Sequence, residues 1–510
     1  METIDLPIRP AVSWEKRAEV VVLKPGETKT LADLASPKSA RRQLAVSATP
    51  VAELVAATDY LAEYPYGCLE QTVSRLYPLL TGDIFLTRLS TNETSKAEEL
   101  SALLAFGVAR VASMVRENDF TMWPDVNVEP WDREVSVYAA RFLVEADAAG
   151  FTLESRVRSR VMRFLNRWAY SVDTDIVAAA CEALALARAE NRDRMFALYD
   201  ARASLSLLAR ARLSRAFLRI GETARARELV SDAALAPTGV EEAAEALLAL
   251  LELDADDPRV GRLVLDVQAR RDRTRFHWGT THANAAALHA LGAYYRIAGL
   301  DDGGRAEVTL SADGATERVL KDGERTKVAD GAARTIANTG KATAFVSIDS
   351  WSLPDVGSVT NAHHAINVAR TFWTLDGEKA DLGNVRRGDI LFGALTLSAD
   401  HKIAVSDLVV QDLLPAGLEI ERADLAASFG ALSGMTNTTW VLRDDIRDDR
   451  VLVFSRPVTL SPRADGAATY LYAVRAVSSG TFVLPGVRVE AMYAPEIFAE
   501  TAPRELVIKP

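Results

Sequence analysis

Residues 64–72 read Tyr64-Pro65-Tyr66-Gly67-Cys68-Leu69-Glu70-Gln71-Thr72 and put a thiol and a carboxamide three positions apart at a predicted helix start. Side chains three residues apart on a helix are neighbours, so the sulfur of Cys68 can attack the side-chain carbonyl of Gln71. That attack would expel ammonia and leave an internal thioester. The stretch therefore predicts a stored, activated acyl group at the beginning of a helix.

The residues around this pair suit the same chemistry. Holding thiol and amide together makes the acyl transfer intramolecular, which is worth on the order of several kcal/mol. Gly67 lets backbone approach closely, and Pro65 stiffens the entry to the loop. Because a thioester must be kept from water, we expect Tyr64, Tyr66 and Leu69, the nearest aromatic and apolar side chains, to wall it.

Two other interpretations of the thiol stay open. Most free cysteines are small buried hydrophobic residues, and the Cys-x-x-Gln spacing alone would favour that interpretation for Cys68. A cysteine hydrolase would use Cys68 as nucleophile and a histidine as base. All six histidines lie at position 277 or later, with His277, His282 and His289 near one helix. No Asn or Asp partner can be assigned to them, so the hydrolase would lack a recognisable third member.

The composition is that of a multidomain globular chain. Its 510 residues are 49% hydrophobic and 25% charged, which predicts roughly three domains. The net charge is -11 and the sequence has no stripe of basic residues, so we do not expect the chain to bind nucleic acid. No apolar run approaches the roughly 18 residues of a membrane span, and residues 1–10 lack the order of a signal peptide. Two cysteines cannot form a disulfide framework, and Cys181 follows an apolar helical pattern that predicts core packing.

The hydrophobic period changes twice along the chain. Residues 15–50 are strand-like, with Ala18–Leu23 ending at the Pro25-Gly26 turn and Leu44–Ser47 following. From Val51 to about Gly299 apolar residues recur at helical spacing. The clearest predicted helices are Val135–Ala148, Arg156–Ala169, Asp175–Ala189, Ala203–Ile220, Glu241–Leu253 and Thr281–Ile297. Such short antiparallel helices need to stack into a ring or a solenoid to bury their apolar faces.

From about Arg305 to Ile508 the period is two. Val308–Ser311, Thr343–Ile348 and Ile390–Leu397 are typical of strands between Gly and Asp turns. The last third of the chain is therefore predicted to be a β-sandwich.

An acidic run, Asp254-Ala255-Asp256-Asp257, matches the Asp-x-Asp-Asp acid of some cyclases that also use helical toroids. The run follows one predicted helix and precedes Pro258. We therefore expect a solvated turn between two helices, with an aspartate capping the second.

The string Tyr64–Thr72 resembles the thioester motif of the bacterial alpha-2-macroglobulins and, more distantly, that of complement thioester proteins. Leu6–Pro10 looks like the strand that opens the CUB-like β domain of that family. Trp123, Trp131 and Tyr138 lie in a stretch similar to its thioester domain. Residues 412–419 and 473–482 resemble its final macroglobulin-like β domain.

The resemblance implies an α+β multidomain fold, in which a helical α/α toroid, the thioester domain, is inserted in a CUB-like β domain and followed by a macroglobulin-like β-sandwich. The implied parts are 1–50 and 301–365 for the CUB-like domain, 51–300 for the toroid and 366–510 for the receptor-binding-type sandwich. In the family the last β domain shields the thioester, and the matching segment Glu490–Pro495 makes Met492 and Tyr493 shielding candidates opposite Tyr64.

The family's function implies a single-use endopeptidase inhibitor, without cofactor or metal, in the periplasm, cell envelope or extracellular space. A lysine of the captured protease would attack the Cys68–Gln71 thioester. Complement-type relatives carry a catalytic histidine that speeds transfer to hydroxyls, whereas the span from Cys68 to Phe276 has no histidine. We therefore expect lysine amines to be preferred over hydroxyls.

Family members are several times longer and carry a protease-cleaved bait region upstream of the part that this chain resembles. We therefore expect a bait-bearing upstream half as a partner. A free-standing covalent binding or adhesion module is the alternative from another functional class.

Overall fold

A computed structural model of the chain describes residues 10–12, 14–31, 40–50, 54, 57–58, 61, 67–81, 93–124, 133–231, 235–272, 277–297, 306–312, 314–328, 334–421, 439–462 and 468–510. These residues form two compact units. One, called here the ring unit, is Lys16–Trp351. The other, the C-terminal unit, consists of the described residues up to Glu15 together with Ser352–Pro510.

The ring unit begins and ends with strands that share two sheets. The strands are β1 Glu15–Leu23, β2 Thr28–Leu31, β3 Ala40–Ser47, β4 Glu307–Ala312, β5 Ala315–Lys321, β6 Arg325–Val328, β7 Arg334–Asn338 and β8 Ala344–Ser352. The sheet orders are β1-β8-β3-β6 and β2-β7-β4-β5, so strands from before and after the helices are neighbours. Leu44, Val46, Val308 and Val346 belong to one buried core. The two flanking β stretches therefore fold together.

Helices fill the sequence between these strands. In the described ranges they are α1 Leu69–Thr81, α2 Glu93–Ser113, α3 Arg133–Ala148, α4 Ser155–Trp168, α5 Thr174–Leu186, α6 Arg192–Asp200, α7 Leu207–Arg219, α8 Thr223–Leu229, α9 Val240–Leu253, α10 Pro258–Ala269 and α11 Thr281–Ile297. The odd-numbered helices pack in chain order, and α11 returns to pack on α1. They form a closed inner ring, with the even-numbered helices packed outside it.

The alternation of inner and outer helices determines the direction in which the inner helices run. Because each outer helix carries the chain back, all inner helices run the same way, and their N-terminal ends meet at one end of the ring. We call this the N-terminal end of the ring. Its helices are alanine-rich where they face one another, as in α5, where Ala178, Ala179 and Ala180 are fully buried. Small side chains let neighbouring helices approach closely.

Caps decide several helix starts. Asp173 accepts hydrogen bonds from the backbone of Asp175 and Ile176 at the start of α5. The helix predicted to begin at Ala203 begins only at Leu207, because Ser206 accepts from the amide of Ala209 and caps it there.

The acidic run has the expected role of a turn. Asp257 caps α10 by accepting from the amide of Arg259, and Asp254 accepts from the amide of Asp256 within the turn. The guanidinium of Arg259 also lowers the pKa of Asp257. The prediction of a solvated turn with an aspartate cap is confirmed.

The C-terminal unit is built mainly of antiparallel β-sheets around one large core. Its strands are β9 Ala362–His364, β10 Ile366–Trp373, β11 Val385–Arg386, β12 Ile390–Ala399, β13 Ile403–Val405, β14 Leu408–Leu413, β15 Leu418–Ile420, β16 Val441–Arg447, β17 Arg450–Ser455, β18 Val458–Leu460, β19 Ala468–Ala476, β20 Gly480–Leu484, β21 Val487–Ala491, β22 Ala494–Glu500 and β23 Arg504–Lys509. The main sheets are β10-β12-β19-β15 and β16-β17-β14-β21-β22-β9, and a smaller one contains the parallel pair β11-β23.

The division between the units differs from the boundary expected after residue 365. It lies between Trp351 and Ser352. Strand β9 pairs with β22, with His364 opposite Phe498, so the residues before 366 already belong to the second sheet. No helix among the described residues is long and apolar enough to cross a membrane.

Candidate thioester site

Cys68 and Gln71 lie at the first turn of α1, and both are fully buried. The amide of Cys68 donates to Oε1 of Gln71 at 3.4 Å, and the amide of Gln71 donates to the Cys68 sulfur at 3.5 Å. Each reactive side chain therefore contacts the backbone of the other residue. The structure brings the predicted pair together in a site without water access, at the N-terminal end of the ring.

The surroundings of Gln71 favour charge on its carbonyl oxygen. Attack by the thiol would place negative charge on Oε1, and the Cys68 N–H points at that atom. The free amides at a helix N-terminus carry partial positive charge, which adds to the effect. A donor aimed at an oxygen that becomes negative lowers the barrier to acyl transfer.

Hydrogen bonds from two distant segments to the backbone hold the residues just before and at the start of α1. The amide of Leu69 donates to the carbonyl of Met122 at 2.9 Å. The guanidinium of Arg110, on α2, donates to the carbonyl of Gly67 at 3.2 Å. A Cβ on Gly67 would lie 3.2 Å from the same Arg110 nitrogen, so glycine leaves room for this contact.

Glu70 lies between the two reactive residues and is also buried. Its carboxylate accepts from the Ser74 hydroxyl at 2.5 Å and from the Thr281 hydroxyl at 2.8 and 3.0 Å. Ser74 in turn lies 3.3 Å from the Tyr138 hydroxyl on α3. Thr281 begins α11, so Glu70 connects the first and last inner helices at the end of the ring that carries Cys68.

His282 and His289 offer poor bases. Burial lowers the pKa of both His282 and His289 to about 4. The ring of His282 packs against Tyr138 at 4.5 Å between centroids, and His289 Nδ1 lies 3.2 Å from the carbonyl of Tyr77. Imidazoles with a pKa so far below neutrality accept protons weakly. The geometry therefore gives no support to a cysteine hydrolase that uses these two groups.

A cavity of about 320 Å³ opens at the N-terminal end of the ring. First-turn residues of five inner helices line it: Glu134, Asp175, Leu208, Glu241 and His282. This supports the parallel arrangement of the inner helices. Carboxylates in first turns stabilise the helix dipoles. Within the described ranges no group of three His, Cys, Asp or Glu side chains is placed to hold a metal ion.

Some predicted residues are not described by the structure. Tyr64, Tyr66, Trp131 and the predicted strand at Leu6–Pro10, apart from Pro10, lie outside the described residues. Leu69, the other residue expected to wall the thioester, is fully buried.

Met492 and Tyr493 belong to the C-terminal unit. They follow β21 at its turn into β22, where the amide of Met492 donates to the carbonyl of Asp407 at 3.0 Å. Met492 is buried and Tyr493 is half-buried. Their shielding of the thioester stays a prediction.

Cys181 behaves as the sequence predicts. It is fully buried on α5, and burial raises the pKa of its thiol to about 12. A thiol with so high a pKa is a poor nucleophile. Cys181 is a core residue.

Comparison with known proteins shows what this chain is similar to. Residues 366–496 match the family model described as the bacterial alpha-2-macroglobulin MG10 domain. The alpha-2-macroglobulin of Escherichia coli K12 is 27% identical over 98% of this chain and 32% of its own length. This chain is related to the bacterial alpha-2-macroglobulins.

Solved structures of alpha-2-macroglobulins have the same fold. Native E. coli alpha-2-macroglobulin, from domain MG7 to the C-terminus, has a TM-score of 0.77 at 23% identity and covers 98% of this chain and 83% of that one. Salmonella alpha-2-macroglobulin reacted with methylamine has a TM-score of 0.77 at 26% identity, covering 100% of this chain and 35% of that one. The predicted fold class, a multidomain α+β chain like the C-terminal part of these proteins, is confirmed. The chain spans about a third of the length of the curated relatives it matches.

Proposed function

We propose that Cys68 and Gln71 form an intramolecular thioester, and that this chain is the covalent-trapping part of an alpha-2-macroglobulin-like endopeptidase inhibitor. The observation that carries the proposal is that two fully buried residues contact each other reciprocally: the Cys68 amide is aimed at the Gln71 carbonyl oxygen, and the Gln71 amide at the Cys68 sulfur. The related Salmonella protein has been crystallised after reaction with methylamine, and an amine is the expected attacker of a thioester.

The reaction has two steps that balance. In the first, the Cys68 thiol attacks the Gln71 carboxamide carbon, a C–S bond replaces the C–N bond, and ammonia leaves. In the second, a lysine amine of a bound protease attacks the same carbon. A C–N bond forms, the C–S bond breaks, and the amine proton leaves with the Cys68 thiol. The product is an isopeptide-type bond to Gln71, and because no step restores the thioester the site acts once.

Amines are the proposed acceptors. A hydroxyl needs a base to become a nucleophile, whereas a fraction of lysine amines is neutral and nucleophilic without help. With pKa values of about 4, His282 and His289 would be weak bases for that task. The proposed substrate group is therefore the ε-amine of a lysine on the trapped endopeptidase.

The inhibitor function concerns a longer assembly. The matched relatives are about three times the length of the aligned part, and we propose that a bait-bearing upstream half completes the inhibitor. Burial of the pair implies that a conformational change must expose it before lysine attack. In this proposal the protein works in the periplasm, at the cell envelope or outside the cell, with Tyr64, Tyr66, Met492 and Tyr493 shielding the thioester.

Intact mass before and after methylamine tests the thioester directly. We expect the native chain to be lighter than its sequence by one ammonia, and methylamine to add once while releasing one thiol. Cys68→Ala should abolish both effects, and Cys181→Ala should abolish neither. Glycerol, offered in place of methylamine, should label poorly. A native mass equal to that of the plain sequence, with no amine uptake, would refute the proposal.

A further inference from the structure

The proposed reaction requires that the first turn of α1 hold the Gln71 side chain at a fixed angle about the helix axis relative to Cys68. Successive side chains on a helix leave its axis about 100° apart, as follows from 3.6 residues per turn. Glu70 sits between Cys68 and Gln71, so its side chain points away from the reacting pair. Whatever holds Glu70 therefore sets the rotation of Gln71 relative to Cys68.

Two hydroxyl groups donate to the Glu70 carboxylate, one from the same helix and one from another helix, so they constrain its orientation differently. Ser74 lies one turn along α1 and moves together with Glu70, so its 2.5 Å hydrogen bond stiffens the turn internally. Thr281 belongs to α11, and its hydroxyl reaches both carboxylate oxygens, at 2.8 and 3.0 Å. Of these two contacts, the one from Thr281 ties the reacting turn to a separate helix.

Thr281 is itself held firmly. Its side chain is buried with 1% exposure at the first position of α11. The Asn284 side chain accepts from the amide of Trp278 at 3.0 Å and donates to the carbonyl of Thr280 at 2.6 Å. The indole of Trp278 donates to the carbonyl of Val267 on α10 at 2.7 Å. The turn that precedes α11 is therefore a rigid anchor.

We propose that Thr281 is a positioning residue for the Cys68–Gln71 reaction, acting through the Glu70 carboxylate. The inference rests on the proposed thioester and adds a residue to it. Loss of the Thr281 hydroxyl leaves the buried Glu70 carboxylate with one donor fewer. The carboxylate then relaxes by turning, and the turn of α1 rotates with it. Small misplacements of reacting groups cost on the order of a hundredfold in rate.

The test compares three full-length variants with the unaltered chain. Thr281→Val keeps the shape and removes the hydroxyl, whereas Thr281→Ser keeps the hydroxyl. Ser214→Ala is the matched control, since the buried Ser214 hydroxyl donates to the carbonyl of Ala226 at 2.8 Å, between α7 and α8. Each variant is measured for thermal midpoint, for the fraction of chains short of one ammonia, and for the rate of methylamine incorporation.

We expect Thr281→Val to change the thioester fraction or the methylamine rate at least tenfold, and Thr281→Ser to retain both. Ser214→Ala should lower the thermal midpoint and leave both unchanged. Equal thioester fraction and rate in Thr281→Val and the unaltered chain would overturn the inference, as would an equal loss in Ser214→Ala. If Thr281→Val does not fold, Thr281→Ala makes the same comparison. A missing thioester in the unaltered chain would instead refute the proposed function.

Discussion

Removing one carboxylate from the interior of the ring should destabilise it strongly. Seven side chains form a connected set of ion pairs there, called here the ring-core ion cluster: Arg141, Glu182, Arg212, Arg215, Arg219, Glu245 and Glu252. They come from four successive inner helices, α3, α5, α7 and α9. The cluster therefore connects most of the ring around its axis.

Glu245 is the most connected acid of the cluster. Its Oε1 lies 2.8 Å from Arg141 and 3.2 Å from Arg212, and its Oε2 lies 3.3 Å from Arg215. Burial alone would raise the pKa of Glu245, but these guanidinium groups hold it well below its ordinary value. The carboxylate thus stays charged, and its charge stabilises the fold wherever the pH lies above its ordinary pKa.

The perturbation is Glu245→Gln, which keeps the volume and deletes the charge. Three guanidinium groups lose a common partner, and breaking a buried pair by removing one member costs about 3–5 kcal/mol. At roughly 2–4 °C per kcal/mol for a domain of this size, the midpoint should fall by about 6–20 °C. Thermal unfolding of the full chain, followed by far-UV circular dichroism, reports the helical ring.

Glu241→Gln is the matched control, because it makes the same change on the same helix, α9, but in the first turn and outside the ring-core ion cluster. Glu241→Gln should lower the free energy of unfolding by up to about 1 kcal/mol, because it removes a negative charge from the N-terminal end of the helix dipole. A double variant, Arg141→Met with Glu245→Gln, should lose less than the sum of the single variants, because it removes both members of a pair. An equal midpoint shift in Glu245→Gln and Glu241→Gln would refute the assignment of the cluster as a stabilising core.

Three further outcomes follow from other contacts. Gly107→Ala would put a Cβ 2.4 Å from the Leu76 side chain, so this side chain or the two helices must shift, and the free energy of unfolding measured in urea should fall by about 1–3 kcal/mol. Gly486→Ala would put a Cβ 1.8 Å from the Thr501 carbonyl oxygen, a backbone atom that cannot move freely. We expect this variant to disrupt the C-terminal unit and to make it more susceptible to limited proteolysis. Gly261→Ala, where a Cβ meets open space, should not change the susceptibility. Burial lowers the pKa of His282 from 6.5 to about 4, so the unfolded chain binds the proton more tightly. Stability should therefore fall as the pH decreases from 6.5 towards 4, and an unaltered slope in His282→Gln would contradict this.

Local pattern predicted much of the helical ring. The helix Thr281–Ile297 is observed with the predicted bounds, and the two β stretches flank the helices as expected. Pairing between strands distant in sequence could not be predicted from the pattern. Strand β9, for example, pairs with β22, far along the chain. Hydrophobic period carries no information about such pairing.

The candidate site divides in the same way. Cys68 and Gln71 could be paired from the sequence because the contact is local, three positions apart on one helix. Arg110 and Thr281 contact the loop and Glu70 from 43 and 211 positions away, and no motif marks them. One signal was present for Thr281, which begins the last predicted helix. In a closed ring that helix must meet the first.

Closure of the ring and the proposed reaction occur at the same place. The inner helices run parallel, so the start of α1 and the start of α11 lie at one end, and the contact that joins the first helix to the last includes Glu70 and Thr281. Because Glu70 lies between the proposed reactants, any change that opens the ring at this contact also rotates the reacting turn. The closure of the ring and the proposed reaction of Cys68 with Gln71 are therefore linked through one helix pair, α1 and α11. A variant that loosens α11 from α1 should change amine reactivity before it unfolds the chain.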